Sequence, residues 1–310
     1  MRFVRTNAEL VQAEVSTILE LTQAAGDADG AYPLSEHVML HLRGGGEKPA
    51  VHVLAWAADN RLVGYAHIDT TDPVEGAAAE LCVHPLYRRH GIGRALVTHA
   101  LEVADEGDGR LRLWAHGDHP SASALALSMG FTRGRVLLQM RRSLFAPLAS
   151  PVFPPGITVR SFRPGVDDDA WLALNALAFA DLPDQGRWTR SDLRARLAES
   201  WFDADGFLLA FRGPDLVGFH WTKVHGSHRQ HDEGHQHDPI GEVYVIGVHP
   251  SAHGTGLGTA LTLAGLRYLR DQALDQVMLY VDETNTTAIR LYQRLDFARW
   301  STDVSFRHSR

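Results

Sequence analysis

The chain is 310 residues long, 45% hydrophobic and 22% charged, with a formal net charge of −7. That length suits two domains of about 150 residues with ordinary globular cores, and the acidic balance argues against a nucleic-acid surface, which needs clustered positive charge. The one cysteine, Cys82, excludes a disulfide framework within the chain, and no signal-peptide core or membrane-length apolar run is found, so a cytoplasmic protein is expected.

In chain order, the pattern predicts a helix over 8–25 and a second beginning near Ser35, a suitable N-cap. Strands follow over 51–58, 62–68 and 77–83, and Asp59-Asn60 suits a hairpin turn between the first two. A helix over 92–106, a strand over 111–115, a helix over 121–129 and a closing strand over 136–140 complete a first half. The proline-rich stretch from Ala146 to Gly156 reads as a boundary, which gives domains of 1–145 and 156–310. The second half repeats the order. It has a strand over 157–161, helices near 168–179 and 190–199, and strands near 207–211, 216–223 and 242–248. A helix over 256–270, a strand over 277–281 and a helix over 286–295 follow. Five histidines interrupt the parallel between 224 and 239: His225, His228, His231, His235 and His237. Clustered imidazoles can hold zinc or nickel. Irregular spacing and the lack of a nearby cysteine favour a polar hairpin loop instead, and no metal is expected.

The two halves share a phrase. Residues 81–96 read LCVHPLYRRHGIGRAL and residues 246–261 read IGVHPSAHGTGLGTAL. Superposed, Val83, His84 and Pro85 fall on Val248, His249 and Pro250, while Gly91, Gly93, Ala95 and Leu96 fall on Gly256, Gly258, Ala260 and Leu261. A repeat about half the chain long argues for two copies of one domain. In each copy an apolar strand runs into a glycine-rich turn that opens a helix. Backbone N–H groups then converge beside a helix N-terminus, which is a site for phosphate.

Arg88-Arg89-His90-Gly91-Ile92-Gly93 is similar to the pyrophosphate loop, Arg/Gln-x-x-Gly-x-Gly/Ala, of the Gcn5-related N-acetyltransferase family. His253-Gly254-Thr255-Gly256-Leu257-Gly258 matches it except that His253 stands first. The run from Asn285 through Ala288, Leu291 and Tyr292 to Asp296-Phe297 resembles the family's second motif, with Asp296 in place of the usual Gly. The resemblance implies an α/β (α+β) fold of two tandem domains, each a mixed, mostly antiparallel sheet flanked by helices. It also implies acetyl-CoA as cosubstrate. In the first half its contacts would be Leu81, Cys82, Val83, Arg89, His90, Gly91, Ile92, Gly93 and Arg94. In the second they would be Ile246, Gly247, Val248, His253, Gly254, Thr255, Gly256, Leu257, Gly258 and Thr259. Asn285, Thr286, Thr287, Ala288, Ile289 and Arg290 would add contacts from the second motif. Tyr292 would stand near the thioester sulfur and protonate the leaving thiolate, since a phenol stays protonated at neutral pH. In the first half His119 falls opposite Asn285 and Ala126 opposite Tyr292. That half is expected to bind coenzyme A without catalysing.

Longer phrases narrow the resemblance. Trp114-Ala-His116-Gly117, the run from Gly218 through Lys223 to His225, the run from Gly241-Glu242 to Val248, and Leu279-Tyr280-Val281 look like the mycothiol synthase family over nearly the whole chain. That implies acetyl transfer to the cysteinyl amine of a cysteine–glucosamine–inositol conjugate, the last step of mycothiol synthesis in actinobacteria. It further implies an acceptor site lined by Glu36, Asp184, Lys223, Glu242 and Tyr280, with Asp184 where Glu is expected. The mechanism expected is direct attack. An α-amino group has a pKa near ~8 and must lose its proton, which Glu242 takes directly or through water. The backbone N–H of Val248 polarises the thioester carbonyl, and Tyr292 is the acid. Cys82 reads as a buried apolar residue, not a nucleophile. A monomer is expected, because two halves already form a pseudo-dimer. Two rival readings stay open: an acetyltransferase for another amine, such as an aminoglycoside or a peptide, and a coenzyme-sensing module without turnover.

Overall fold

In the computed structural model the described residues are 1–7, 9–35, 38–39, 41–42, 50–72, 76–225 and 239–309, with backbone alone at 183–184. The structure divides into two units, Met1–Leu138 with Ser301–Arg310, and Gln139–Trp300.

Unit 1 contains β1 (Arg2–Thr6), α1 (Gln12–Asp29), β2 (Ala50–Trp56), β3 (Leu62–Asp69) and β4 (Ala77–Val83). It continues with α2 (Ile92–Asp105), β5 (Leu111–Ala115), α3 (Pro120–Ser128) and the first part of β6 (Thr132–Ser143). The strands lie in the order β1-β2-β3-β4-β5, closed by residues of β12 (Ala298–His308) and then β6. The β2–β3 hairpin turns at Asn60, φ +61°, as its Asp-Asn dipeptide suggests. Val15, Ile18, Leu21 and Ala25 recur at helical spacing on α1 and pack on Leu54, Leu62, Tyr65 and Cys82. Neighbouring residues of a strand face opposite sides, so Gly64, beside Tyr65, faces α2. A Cβ there would sit 2.8 Å from Ile92 Cγ2 and 3.2 Å from Leu96 Cδ1. The missing side chain lets the helix after the glycine turn press directly on the sheet.

Unit 2 repeats this plan. It has β7 (Ile157–Ser161), α4 (Asp168–Ala178), α5 (Arg190–Leu197), β8 (Phe207–Arg212), β9 (Asp215–His225) and β10 (Ile240–Val248). Then come α6 (Leu257–Asp271), β11 (Gln276–Asp282) and α7 (Thr286–Arg294), with strand order β6-β11-β10-β9-β8-β7. Gly218 does for α6 what Gly64 does for α2: its Cβ would lie 2.9 Å from Leu261 Cδ1 and 3.2 Å from Leu257 Cδ2. The other face carries an aromatic core. Trp171 of α4 is 0% exposed and meets Phe207, Phe219 and Trp221 edge-to-face, with centroids 5.6, 5.4 and 5.7 Å away.

Three features depart from the sequence expectation. β1 and β12 carry no strand prediction, and β6 is longer than 136–140. β12 escapes the alternation test because Thr302 to Phe306 are all buried, polar residues included, so neither face reads as apolar. The units also differ from the contiguous halves 1–145 and 156–310. The break falls within β6, and Ser301–Arg310 belongs to unit 1. There β12 pairs antiparallel with β5, from Val304↔Ala115 to His308↔Leu111. Asp303 accepts from Gly117 N–H at 2.8 Å and pairs with His116 Nδ1 at 3.0 Å. The proline-rich stretch lies within unit 2, where Arg267 donates to the carbonyls of Leu148 and Ala149.

Two outcomes follow from this packing. Trp171→Ala should lower unfolding free energy by about 3–5 kcal/mol, read from urea denaturation. Burial opposes a charge on His116, but the Asp303 hydrogen bond and Glu80, 3.6 Å from Nε2, outweigh it and hold the imidazole up to about 10. A folded-state value above the ordinary 6.5 gives stability that is fully present below about pH 6.5 and lost as pH rises towards 10. The melting temperature should therefore fall across that window, and His116→Asn should flatten the slope.

Candidate active site

The site begins where two parallel strands part. β10 pairs with β11 only from Gly241↔Val277 to Val243↔Leu279, yet it stays paired with β9 as far as Val248↔Gly218. His249 N–H donates to Val217 O at 2.9 Å. Hydrogen-bonded and non-hydrogen-bonded pairs alternate along an antiparallel ladder. Ile246 and Val248 therefore direct their N–H groups away from β9, into the gap left by β11. Unit 1 has the same geometry. β4 and β5 pair from Ala77↔Leu111 to Ala79↔Leu113, β3 and β4 pair to Gly64↔Val83, and His84 N–H donates to Val63 O at 2.9 Å. Leu81 and Val83 aim their N–H groups into that gap.

The glycine turns lie at the ends of these strands. Gly254 and Gly256 have φ of +73° and +89°, a region glycine enters without strain. Gly256 is the N-cap of α6 and Gly91, φ +81°, is that of α2. A Cβ at Gly254, Gly256 or Gly91 would meet nothing within 4 Å, so the first N–H groups of each helix stand open. The histidine at the head of the second turn has a physical explanation. Arg88 donates through Nε to Val83 O at 3.1 Å and forks onto Asp29 at 2.7 and 2.8 Å. His253 Nε2 lies 3.0 Å from Val248 O, the equivalent carbonyl. A different side chain ties the turn to the same point of the strand.

One face of the sheet in unit 2 gathers Lys223, Glu242 and Tyr280, three of the five expected acceptor residues. Glu242 lies opposite Lys223 on β9 and Met278 on β11, and Tyr280, two residues on from Met278, shares that face. Glu242 is 7% exposed, and its Oε2 lies 2.6 Å from His225 Nε2. The Lys223 ammonium sits over the rings of Trp201 and Tyr244, at 4.6 and 5.4 Å. Arg196 holds Tyr244 by donating to its Oη at 2.7 Å and stacks on Trp188. Tyr280 is half exposed and accepts from Gln139 Nε2 at 2.7 Å. Glu36 and the side chain of Asp184 lie outside the described residues, as do His228, His231, His235 and His237; Asp184's backbone is in the helical turn Pro183–Gly186.

α7 presents Tyr292, 6% exposed and edge-on to Phe297, with burial pushing its phenol up to about 12. Asn285 caps α7, its Oδ1 accepting from Ala288 N–H at 3.1 Å, and Thr286 to Arg290 form the turn that follows. His119 caps α3 in the same way, and Ala126 is buried where unit 2 has Tyr292. Asp296 takes φ +60°, the conformation Gly130 adopts in unit 1, so the departure from glycine leaves the turn intact. Cys82 is buried and its thiol is pushed up to about 12, which removes it as a nucleophile. A cavity of about 480 Å³ lies between α4, the β8–β9 turn and His249–Ser251, and Glu242 is not part of its lining. Sequence reasoning placed His225 in the histidine loop and missed Trp201, Tyr244 and Gln139. The β9–β10 register, with Ile240 opposite His225 and Glu242 opposite Lys223, puts His225 diagonal to Glu242, and no local sequence pattern states that register.

The acetyltransferase (GNAT) family model matches residues 18–131 and 171–297, and the chain belongs to this family, with its domain present twice. It is an acyltransferase, and GNAT acetyltransferases use acetyl-CoA. Mycothiol acetyltransferases place it further. That of Salinispora arenicola is 58% identical over 99% of this chain and 97% of its own, and that of Acidothermus cellulolyticus is 55% identical over 98% and 94%. Among solved structures, a tandem GNAT protein from the clavulanic acid pathway shares the fold, with TM-score 0.74 at 23% identity over 99% of this chain and 98% of its own. A Gcn5-related N-acetyltransferase from Sphaerobacter thermophilus is similar at TM-score 0.70, with 25% identity over 99% of this chain and 95% of its own.

Because His253 tethers the turn through one hydrogen bond of about 1 kcal/mol, His253→Ala should raise the KM for acetyl-CoA about fivefold. His253→Gln should recover part of the loss in steady-state kinetics.

Proposed function

We propose that this chain moves acetyl from acetyl-CoA to the cysteinyl amine of a cysteine–glucosamine–inositol conjugate, completing mycothiol, and that unit 2 alone carries out the transfer. The observation that carries the reading is the contact of buried Glu242 with half-buried His225 on the sheet face beside a strand gap into which Val248 aims its N–H. The names of the full-length relatives supply the substrate.

The coenzyme fits the turn, since positive-φ glycines open the N-terminus of α6 to a pyrophosphate. Bound there, it supplies an activated acetyl thioester. The chain's own groups do the rest. The acceptor's ammonium first gives a proton to Glu242, and the neutral amine then attacks the thioester carbonyl, while His225 at 2.6 Å offers that proton a way out. Val248 N–H stabilises negative charge growing on the carbonyl oxygen, fixed in place by the β9 ladder. Tyr292 holds a proton for the departing sulfur. Its raised pKa means it stays neutral at any pH where the amine reacts. Lys223 and Tyr280 bond the acceptor's hydroxyls, a means of rejecting amines that lack them. Glu36 and Asp184 are assigned the same role. Unit 1 binds the coenzyme through its own gap and turn, and with Ala126 in the tyrosine's place it has no acid to offer.

The test is acetyl-CoA-dependent acetylation of the cysteinyl–glucosaminyl–inositol amine. Tyr292→Phe should lower kcat at least tenfold, within the usual worth of a general acid. A Gly91→Glu/Gly93→Glu variant should stay active. Loss of turnover in that double variant would move the chemistry to unit 1. Turnover of aminoglycosides or peptide amines in preference to this amine would change the substrate.

A further inference from the structure

We propose that unit 1 binds one zinc ion through His41, His52 and His67. His52 on β2 and His67 on β3 lie directly opposite in the antiparallel register. His41, from the helical residues at 41–42, closes a triangle over them. Ring centroids are 5.4, 5.0 and 5.7 Å apart, and one nitrogen from each ring lies within 4.8 Å of the other two. Nitrogens about 2.0–2.1 Å from a tetrahedral zinc stand closer than that, so small ring rotations complete the site, with water or another oxygen as fourth ligand.

The bland alternative is a stack of core histidines, and two observations weigh against it. His67 is 2% exposed, and its Nδ1 has no hydrogen-bond partner among the described residues. A buried imidazole nitrogen without a partner is costly, and a metal ion is the partner that three converging donors supply. Next, His52 Nδ1 lies 2.8 Å from Tyr65 Oη. With Nδ1–H donated to that oxygen, Nε2 keeps its lone pair for a metal, and the phenol orients the ring as outer-shell partners of zinc-bound histidines do. An all-imidazole donor set suits zinc over calcium or magnesium. The ion would clamp residues 41–42 to the β2–β3 hairpin and act on stability, not on the transfer in unit 2. It reverses the expectation of no metal, which was weighed on the 225–237 histidines alone.

Those loop histidines must be silenced in the test. The full chain carrying His228→Ser, His231→Ser, His235→Ser and His237→Ser is made without a polyhistidine tag, stripped with chelator and titrated with Zn²⁺. After gel filtration, elemental analysis should find one zinc per chain, and the melting temperature should rise with zinc concentration. Co²⁺ should give the visible bands of a tetrahedral nitrogen site. In this background His41→Gln should lose all three signals. Tyr65→Phe, which removes no ligand, should weaken zinc binding roughly 10–100-fold. Should His41→Gln fail to fold, the Tyr65→Phe change decides. No retained zinc in the folded loop variant, or equal affinity in the parent, His41→Gln and Tyr65→Phe chains, would overturn the proposal.

Discussion

The parting of β10 from β11 after Val243 is the constraint on which the site depends. A strand flanked on both sides spends every N–H group in ladders. One flanked on a single side must leave alternate N–H groups unspent, and the ladder phase decides which. Here His249 bonds Val217, so Val248 and Ile246 are the residues left facing the gap. The glycine turn starts one step further on, and Gly218 lets α6 lie close enough for its N-terminus to face the same space. The outward N–H groups of the strand, the glycine turn and the helix end, to which we assign the polarising and phosphate-binding roles, thus come from one backbone geometry that any side-chain set preserving the strand phase can reuse.

Unit 1 shows what happens when that geometry is kept without the side chains. Its gap and turn match those of unit 2, yet a buried alanine stands in the tyrosine's place. Its buried charge is spent on structure. Glu80 accepts from Ser35 N–H and faces His116, which is bound to Asp303. In unit 2 the comparable investment is the Glu242–His225 pair and an ammonium held over aromatic faces. Both arrangements bury ions with partners. They differ in what those partners leave exposed to a ligand.

Much of this was legible in the sequence. The repeated Val-His-Pro phrase with its glycines located both turns, because a left-handed backbone beside a helix start tolerates few other residues. Helices with regular apolar spacing and strands next to clear turns were found to within a few residues. The closing strand of the second half was not. β12 buries Thr302, Asp303 and Ser305 beside Val304 and Phe306, and no hydrophobic period marks such a strand. His225 was read with its histidine neighbours because its partner, Glu242, lies across a strand pair whose register no local pattern states. The His41, His52 and His67 grouping is hidden for the same reason. Only the β2–β3 register makes two of them neighbours, and the third arrives from a separate segment.

Ser301–Arg310 completing unit 1 has a consequence for synthesis. A ribosome delivers Met1–Leu138 long before it delivers the strand that covers β5 and the carboxylate that holds His116. Until then the nascent unit carries an open sheet edge, a template for wrong pairing, and a buried cation site short of one anion. The order of translation and the order of folding are therefore decoupled in this chain. Unit 1 is begun before unit 2 and completed after it, because residues Val304–His308 act as its latch.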